Sequence, residues 1–271
     1  MGLNIDIGGL PERTGKPREE GLTYVLDKGL SVRQVVDMLG VAADYIDIVK
    51  LGWGTSVVTP GLDDKLRAYR SAGIDVYLGG TLFEAFYIRG QIERYLDFLR
   101  GLGIGVLEIS DGCIEIEHSE KVALISELSE EFTVLSEVGS KDTDHIMPPY
   151  RWVEMIESEL RAGSDRVICE ARESGTVGLY RPDGEVREGL VDEIVDMVGR
   201  QQVVFEAPRK AQQVWFLRHL GPNVNLANIS PEEAIPLETL RLGLRGDTLL
   251  DFYDGKQSFE AARVRKAGLH R

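Results

Sequence analysis

The chain has 271 residues, 43% of them hydrophobic, which is material for one barrel-sized domain with a large core. Its 45 Asp and Glu against 31 Lys and Arg give a formal charge of −14, a field that repels nucleic acid and anionic membrane and excludes both as partners. The two cysteines, Cys113 and Cys169, lie far apart with no metal-binding spacing, Met1 to Arg18 lacks the apolar stretch of an export signal, and no run of about 18 apolar residues occurs; these features predict a soluble protein of the reducing cytoplasm.

Residues 1–21 read as an N-terminal arm carrying Arg13, Lys16 and Arg18 among glycines and prolines. Eight short apolar or β-branched runs follow: Leu22 to Asp27, Tyr45 to Lys50, Asp75 to Gly79, Val106 to Ser110, Val134 to Glu137, Arg166 to Glu170, Val203 to Glu206, and Val224 to Asn225. Such runs fit strands of a parallel sheet buried on both faces. Between them lie segments of helical periodicity. Ser31 and Gln34 form a capping box that opens a helix through Val35, Val36 and Leu39, with Gly40 as its stop. Gly73, Gly103, Gly163 and Gly221 repeat that stop after apolar stripes such as Ile92, Leu96 and Leu99. Ser230, Pro231 and Glu233 open the last helix as N-cap, first-turn proline and N3 acid.

The run ends are spaced by roughly 20 to 36 residues, the size of a βα unit, and no Gly-x-Gly-x-x-Gly turn follows the first run. The pattern predicts an α/β fold: a single-domain (β/α)8 TIM barrel over residues 22–253. A polar C-terminal tail occupies residues 254–271. Outer helices of such a barrel are surfaces for homo-oligomerisation, and one sequence leaves that state open.

In a parallel barrel, chemistry gathers where the strands end. Side chains alternate along a strand, so the last inward residue of each run looks into the mouth. Glu108, Glu137, Glu170 and Glu206 occupy such positions, with Lys50 on the second strand. Four carboxylates in one mouth need cations, either a structural ring with Lys50, Arg172 and Lys210 or a divalent ion. An all-oxygen set without imidazole or thiolate suits a hard cation such as Mg²⁺. Anion-binding groups converge after the last three strands: Arg172, Ser174 and Gly175 after the sixth, Arg209 and Lys210 after the seventh, and Asn225, Asn228 and Ser230 around the eighth. Many barrels hold a phosphate there on backbone N–H groups and a helix N-terminus. Lys141, four residues after Glu137, is a candidate general acid or electrostatic anchor. Gly79-Gly80-Thr81 is either a ligand-cradling or a plain tight turn, and Trp53 either a lid or a packing residue.

Several segments together resemble the phosphosulfolactate synthase family: Lys16-Pro17-Arg18-Glu19, Asp27-Lys28-Gly29, Lys50-Leu51-Gly52-Trp53-Gly54-Thr55, Gly79-Gly80-Thr81-Leu82-Phe83-Glu84, Glu108-Ile109-Ser110-Asp111-Gly112, Glu137-Val138-Gly139, Glu170-Ala171-Arg172-Glu173-Ser174-Gly175, Phe205-Glu206-Ala207-Pro208 and Val224-Asn225-Leu226-Ala227-Asn228-Ile229. The likeness continues through Leu237 to Arg241 and Gly243 to Thr248, covering about residues 16 to 248. The resemblance implies a lyase that adds sulfite to phosphoenolpyruvate with Mg²⁺, giving (2R)-phospho-3-sulfolactate on a route to coenzyme M. On that reading some of Glu108, Glu137 and Glu170 hold the Mg²⁺, Lys141 delivers the proton, with Lys50 as the alternate, and the arginines and Lys210 hold phosphate and sulfonate. Three alternatives stay open: a barrel enzyme acting on another phosphorylated small acid, an aldolase- or lyase-type barrel that uses a lysine Schiff base, and a stress-associated relative without catalysis.

Overall fold

The computed structural model describes residues 3–139 and 147–253. Eight strands alternate with helices from Thr23 onward. The first half runs β1 (Thr23–Asp27), α1 (Val32–Ala42), β2 (Ile48–Leu51), α2 (Thr55–Val58), α3 (Leu62–Ser71), β3 (Asp75–Leu78), α4 (Gly80–Tyr87), α5 (Ile92–Leu102) and β4 (Val106–Ile109). The second half runs α6 (His118–Leu128), β5 (Thr133–Val138), α7 (Pro149–Ala162), β6 (Ser164–Cys169), α8 (Glu188–Val198), β7 (Val203–Glu206), α9 (Lys210–Leu220), β8 (Leu226–Ile229) and α10 (Ala234–Arg241).

Parallel ladders join the strands in the order β3-β2-β1-β8-β7-β6-β5-β4. β3 and β4, the two ends of that order, lie side by side and complete a (β/α)8 barrel. At the carboxy end of this seam the Gly80 N–H donates to Glu108 Oε1 at 3.0 Å, a side chain substituting for a ladder bond. A Cβ on Gly80 would sit 2.6 Å from that same oxygen, so only glycine lets α4 start this close to β4.

Strand alternation sorts the core. Leu22, Tyr24, Ile48, Tyr77, Val106, Leu135, Ile168, Val204 and Ala227 fill the cylinder as one buried cluster. The opposite faces pack beneath the helices, through Val25, Val49 and Leu107 in one half and Val167, Cys169 and Phe205 in the other. A two-residue period then fixes what stands above the interior layer.

The helix signals hold in part. Ser31 and Gln34 make the reciprocal capping box. Gly73, Gly103 and Gly163 adopt positive φ at helix ends as expected. Gly40 does not stop α1, which runs through it to Ala42, whose buried side chain packs on the core while Val41 faces out. Ser230 precedes a short 3-10 turn, Pro231–Glu233, and α10 begins only at Ala234.

The largest departure concerns the eighth strand. Val224 and Asn225 lie before it, at the amino end of the barrel, and β8 itself is Leu226–Ile229. Asn225 is fully buried there: its Oδ1 accepts the Leu22 N–H at 3.0 Å and its Nδ2 donates to Val203 O at 3.1 Å. A four-residue strand spans about 13 Å, so Asn225 ties the amino ends of three strands and stands far from the mouth.

The N-terminal segment seals this amino end. Arg13 Nε and Nη2 donate to the two oxygens of Glu238 on α10, both at 3.0 Å, and both side chains are nearly fully buried. Arg18 pairs with Asp47 at 2.9 Å, and Asp47 in turn accepts the Thr23 N–H at 2.8 Å. Fully buried Arg241 donates to Val224 O at 2.8 Å and Leu22 O at 3.1 Å. Removing one partner of a buried bidentate pair strands the other charge. Arg13→Ala should therefore lower the unfolding free energy by roughly 3–5 kcal/mol, read from urea melts. A loss below about 1 kcal/mol, the range of exposed pairs, would show that the arm does not close the barrel.

Candidate active site

Two residues above the interior layer, the lining changes from apolar to charged. Tyr24 leads to Leu26, Ile48 to Lys50, Tyr77 to Gly79, Val106 to Glu108, Leu135 to Glu137, Ile168 to Glu170 and Val204 to Glu206. All seven upper residues line one cavity of about 440 Å³ at the carboxy end of the strands. β8 is the exception: Asn228 reaches the cavity directly after Ala227, with its backbone in the left-handed region at φ 57°.

Lys50 is the centre of this layer. Its Nζ lies 3.0 Å from Glu108 Oε1, 3.6 Å from Glu206 Oε1 and 3.7 Å from Glu137 Oε2. Its side chain is 12% exposed and those of the three carboxylates 1–3%. Tyr77 forms the floor, its ring centroid 5.9 Å from the ammonium. Burial alone would pull the lysine pKa down, but Glu108 and its fellow carboxylates override it and hold Lys50 well above its ordinary value. Glu108 responds in the opposite sense: burial, together with repulsion from Glu137 and Glu206, outweighs Lys50 and pushes its carboxyl up to about 7.

The other carboxylates are fixed by backbone donors. Glu206 Oε2 accepts the Ala171 N–H at 2.9 Å, and Glu170 Oε1 accepts the N–H of Arg172. Arg172 has φ 55°, so the sharp turn that wraps its N–H onto Glu170 also turns the chain at the rim. Gly178, at φ 59°, lets the following loop pass against the Glu170 carbonyl, which accepts the Leu179 N–H at 3.1 Å. Across the mouth, Lys28 after β1 pairs with Glu173 after β6.

Of the residues expected at the site, Lys50, Glu108, Glu137, Glu170, Arg172, Ser174 and Asn228 line the cavity. Gly79, Gly80, Thr81 and Trp53 line it too, so Trp53, 41% exposed and with φ 50°, stands at the rim. Gly175 is buried behind it, its carbonyl accepting from Gln212 Nε2 at 2.8 Å. Arg209 and Lys210 are outside the lining: both are exposed at the start of α9, and Lys210 pairs with Asp247 at 2.7 Å. Ser230 also lies outside it, donating to Glu232 at 2.7 Å. Asn225 is at the opposite end, as described above. Lys141 lies outside the described residues.

Sequence reasoning missed Glu84. It comes from α4, one turn after Gly80, and is 1% exposed. Its carboxylate accepts Ser110 Oγ, the Gly112 N–H at 3.1 Å and the Cys113 N–H at 3.0 Å, so it shapes the loop after β4. A buried acid on an apolar helix face was the available signal.

The donor chemistry suits a hard divalent cation. The set is carboxylate oxygen, and buried Glu108 Oε2 has no hydrogen-bond partner among the described residues. Glu108, Glu137 and Glu170 are not drawn to a single point: among the described residues the one mutually close set of three ligands lies elsewhere, on the outer helices. Mg²⁺ commonly takes one or two carboxylates and completes its shell with water and substrate oxygens, so this arrangement fits it.

The raised carboxyl of Glu108 has a pH signature. Its folded pKa of about 7 exceeds the unfolded value, so its stabilising contribution is complete below about 4.5 and is lost as pH rises through 7. Glu108→Gln should flatten that component, on the order of 1–3 kcal/mol, in the difference between wild-type and variant stability across pH 4.5 to 8. Parallel stability curves for the two proteins would remove the raised pKa assigned to this carboxyl.

The sequence profile of the (2R)-phospho-3-sulfolactate synthase (ComA) family matches residues 11–247. The chain is 44% identical over 245 residues to a phosphosulfolactate synthase of Methanothermobacter thermautotrophicus, covering 88% of this chain and 95% of that protein. It is 43% identical over 242 residues to the phosphosulfolactate synthase of Bacillus subtilis, covering 88% and 96%. Among solved structures, the YdjI aldolase of Escherichia coli K12 shares the fold at TM-score 0.55 and 12% identity, over 89% of this chain and 93% of that one. With a profile match over most of its length and relatives this similar end to end, the chain belongs to the phosphosulfolactate synthase family.

Proposed function

We propose that this protein catalyses the Mg²⁺-dependent addition of sulfite to phosphoenolpyruvate, forming (2R)-phospho-3-sulfolactate in the cytoplasm. The observation that carries this reading is a lysine ammonium within 3.0 to 3.7 Å of three buried carboxylates in the mouth of a barrel of this family. The product on this reading is a sulfonated three-carbon phosphoester, which the family resemblance connects with coenzyme M.

Lys50 serves as a fixed positive charge that meets the substrate carboxylate, and its raised pKa makes it a poor proton donor. The same charge opposes a Schiff base at Lys50, which requires the neutral amine. Arg172 and Ser174, at the rim, supply donors for phosphate or sulfonate oxygens. Sulfite attacks the methylene carbon through sulfur, and the electron pair of the double bond moves toward the carboxylate-bearing carbon. Lys141 then delivers a proton to that carbon from one face, completing the addition of one bisulfite across the double bond. Glu108, with Glu137 or Glu170, would hold Mg²⁺, which when bound supplies positive charge that favours electron density building on the substrate carboxylate. Trp53 at the rim limits water entry.

Purified protein with Mg²⁺, phosphoenolpyruvate and sulfite should yield phosphosulfolactate, detected as a new phosphorus resonance with the mass of the adduct. No product under these conditions would end the proposal. Lys141→Ala should abolish turnover while phosphoenolpyruvate binding stays within about twofold, whereas Arg172→Ala should raise KM roughly tenfold or more. Glu137→Gln should weaken the Mg²⁺ dependence, and an unchanged metal titration would remove Glu137 from the ligand set.

A further inference from the structure

A second constellation lies on the outer wall, away from the mouth. Glu188 and Asp192 stand one turn apart on α8 and so share a face. His219, the penultimate residue of α9, meets them from the next helix. One ligand atom from each falls within 4.8 Å of the others, a grouping that no other three His, Cys, Asp or Glu side chains achieve among the described residues. His219 Nε2 and Asp192 Oδ1 are already hydrogen-bonded.

The imidazole is also held in place from behind. Trp215, one turn earlier on α9, stacks on it with ring centroids 4.4 Å apart and planes at 23°. Stacking fixes the ring plane before any ion arrives, the service that neighbouring groups perform for metal-ligating histidines. The set therefore differs from a solvated acidic patch in having an oriented nitrogen donor and ligands from two separate helices.

We propose that Glu188, Asp192 and His219 form a surface site for a divalent transition ion of the Zn²⁺ class that clamps α8 to α9. Ligand chemistry separates it from the mouth. One imidazole with two carboxylates suits Zn²⁺, while an all-carboxylate set suits Mg²⁺. Three protein ligands leave the fourth tetrahedral position to water. The helices joined are those that follow the Glu170 and Glu206 strands, so the clamp braces the half of the barrel that carries Arg172. Binding stabilises the folded chain because the unfolded chain does not hold the three ligands together.

The test is calorimetric titration of chelator-treated full-length protein with Zn²⁺ alone at neutral pH, with thermal unfolding beside it. One Zn²⁺ per chain should bind at this site, and His219→Ala and Asp192→Asn should each weaken that event roughly tenfold or more. Glu108→Gln, in the mouth, should leave it intact. At about 100 times the dissociation constant the ion should raise Tm by roughly 5 °C in the wild type and not in His219→Ala. His219→Ala should keep the metal-free Tm and the phosphoenolpyruvate reaction, which separates loss of the clamp from loss of fold. A Zn²⁺ isotherm unchanged by His219→Ala, or no stoichiometric Zn²⁺ event, would overturn the proposal.

Discussion

The organisation of the mouth depends on one buried ammonium. Lys50 sits within 3.0 to 3.7 Å of carboxylates from β4, β5 and β7, none of which is a neighbour of β2 in the barrel. Each of those glutamates would be costly to bury alone, and Lys50 would be costly without them. Their mutual presence makes a charged layer tenable at the end of an apolar cylinder. It also places one positive charge at the centre of the mouth, among the carboxylates.

The layer is placed by backbone geometry alone. A strand presents side chains to the same face every two residues, so the residue above each apolar interior position is committed to the mouth. Tyr77 below and Gly79 above, or Leu135 below and Glu137 above, are consecutive members of one inward row. The seam between β3 and β4 falls inside this layer. There Glu108 accepts from Gly80 while facing Lys50, so closing the barrel and charging the mouth use the same side chain. Glu84 extends the stitching to the loop after β4.

The two ends of the barrel use charge differently. At the amino end Arg13 and Arg18 pair with Glu238 and Asp47, and Arg241 spends its donors on the carbonyls of Leu22 and Val224, which closes the cylinder. At the carboxy end the cations meet an open cavity, the division between stability and chemistry common to such barrels. The YdjI aldolase, at 12% identity, shares the barrel scaffold with this member of the phosphosulfolactate synthase family.

Much of this was legible in the chain. Apolar or β-branched runs marked seven of the eight strands, because a strand buried on both faces has no polar alternation to blur it. The inward positions of Lys50, Glu108, Glu137, Glu170 and Glu206 followed from counting by two. Counting failed at Asn225, because a polar residue next to an apolar run reads the same at either end of a strand and only the ladder with β1 and β7 shows which. It failed again at Arg209 and Lys210, since a loop's position after a strand does not fix whether its side chains turn inward or toward partners such as Asp247. Sequence by itself determined the fold and the identity of the charged layer, through periodicity that acts residue by residue. Tertiary structure decided which charges meet, because the contacts of Lys50 with Glu137 and Glu206, and of Glu84 with the β4 loop, depend on distances across the barrel that no local pattern encodes.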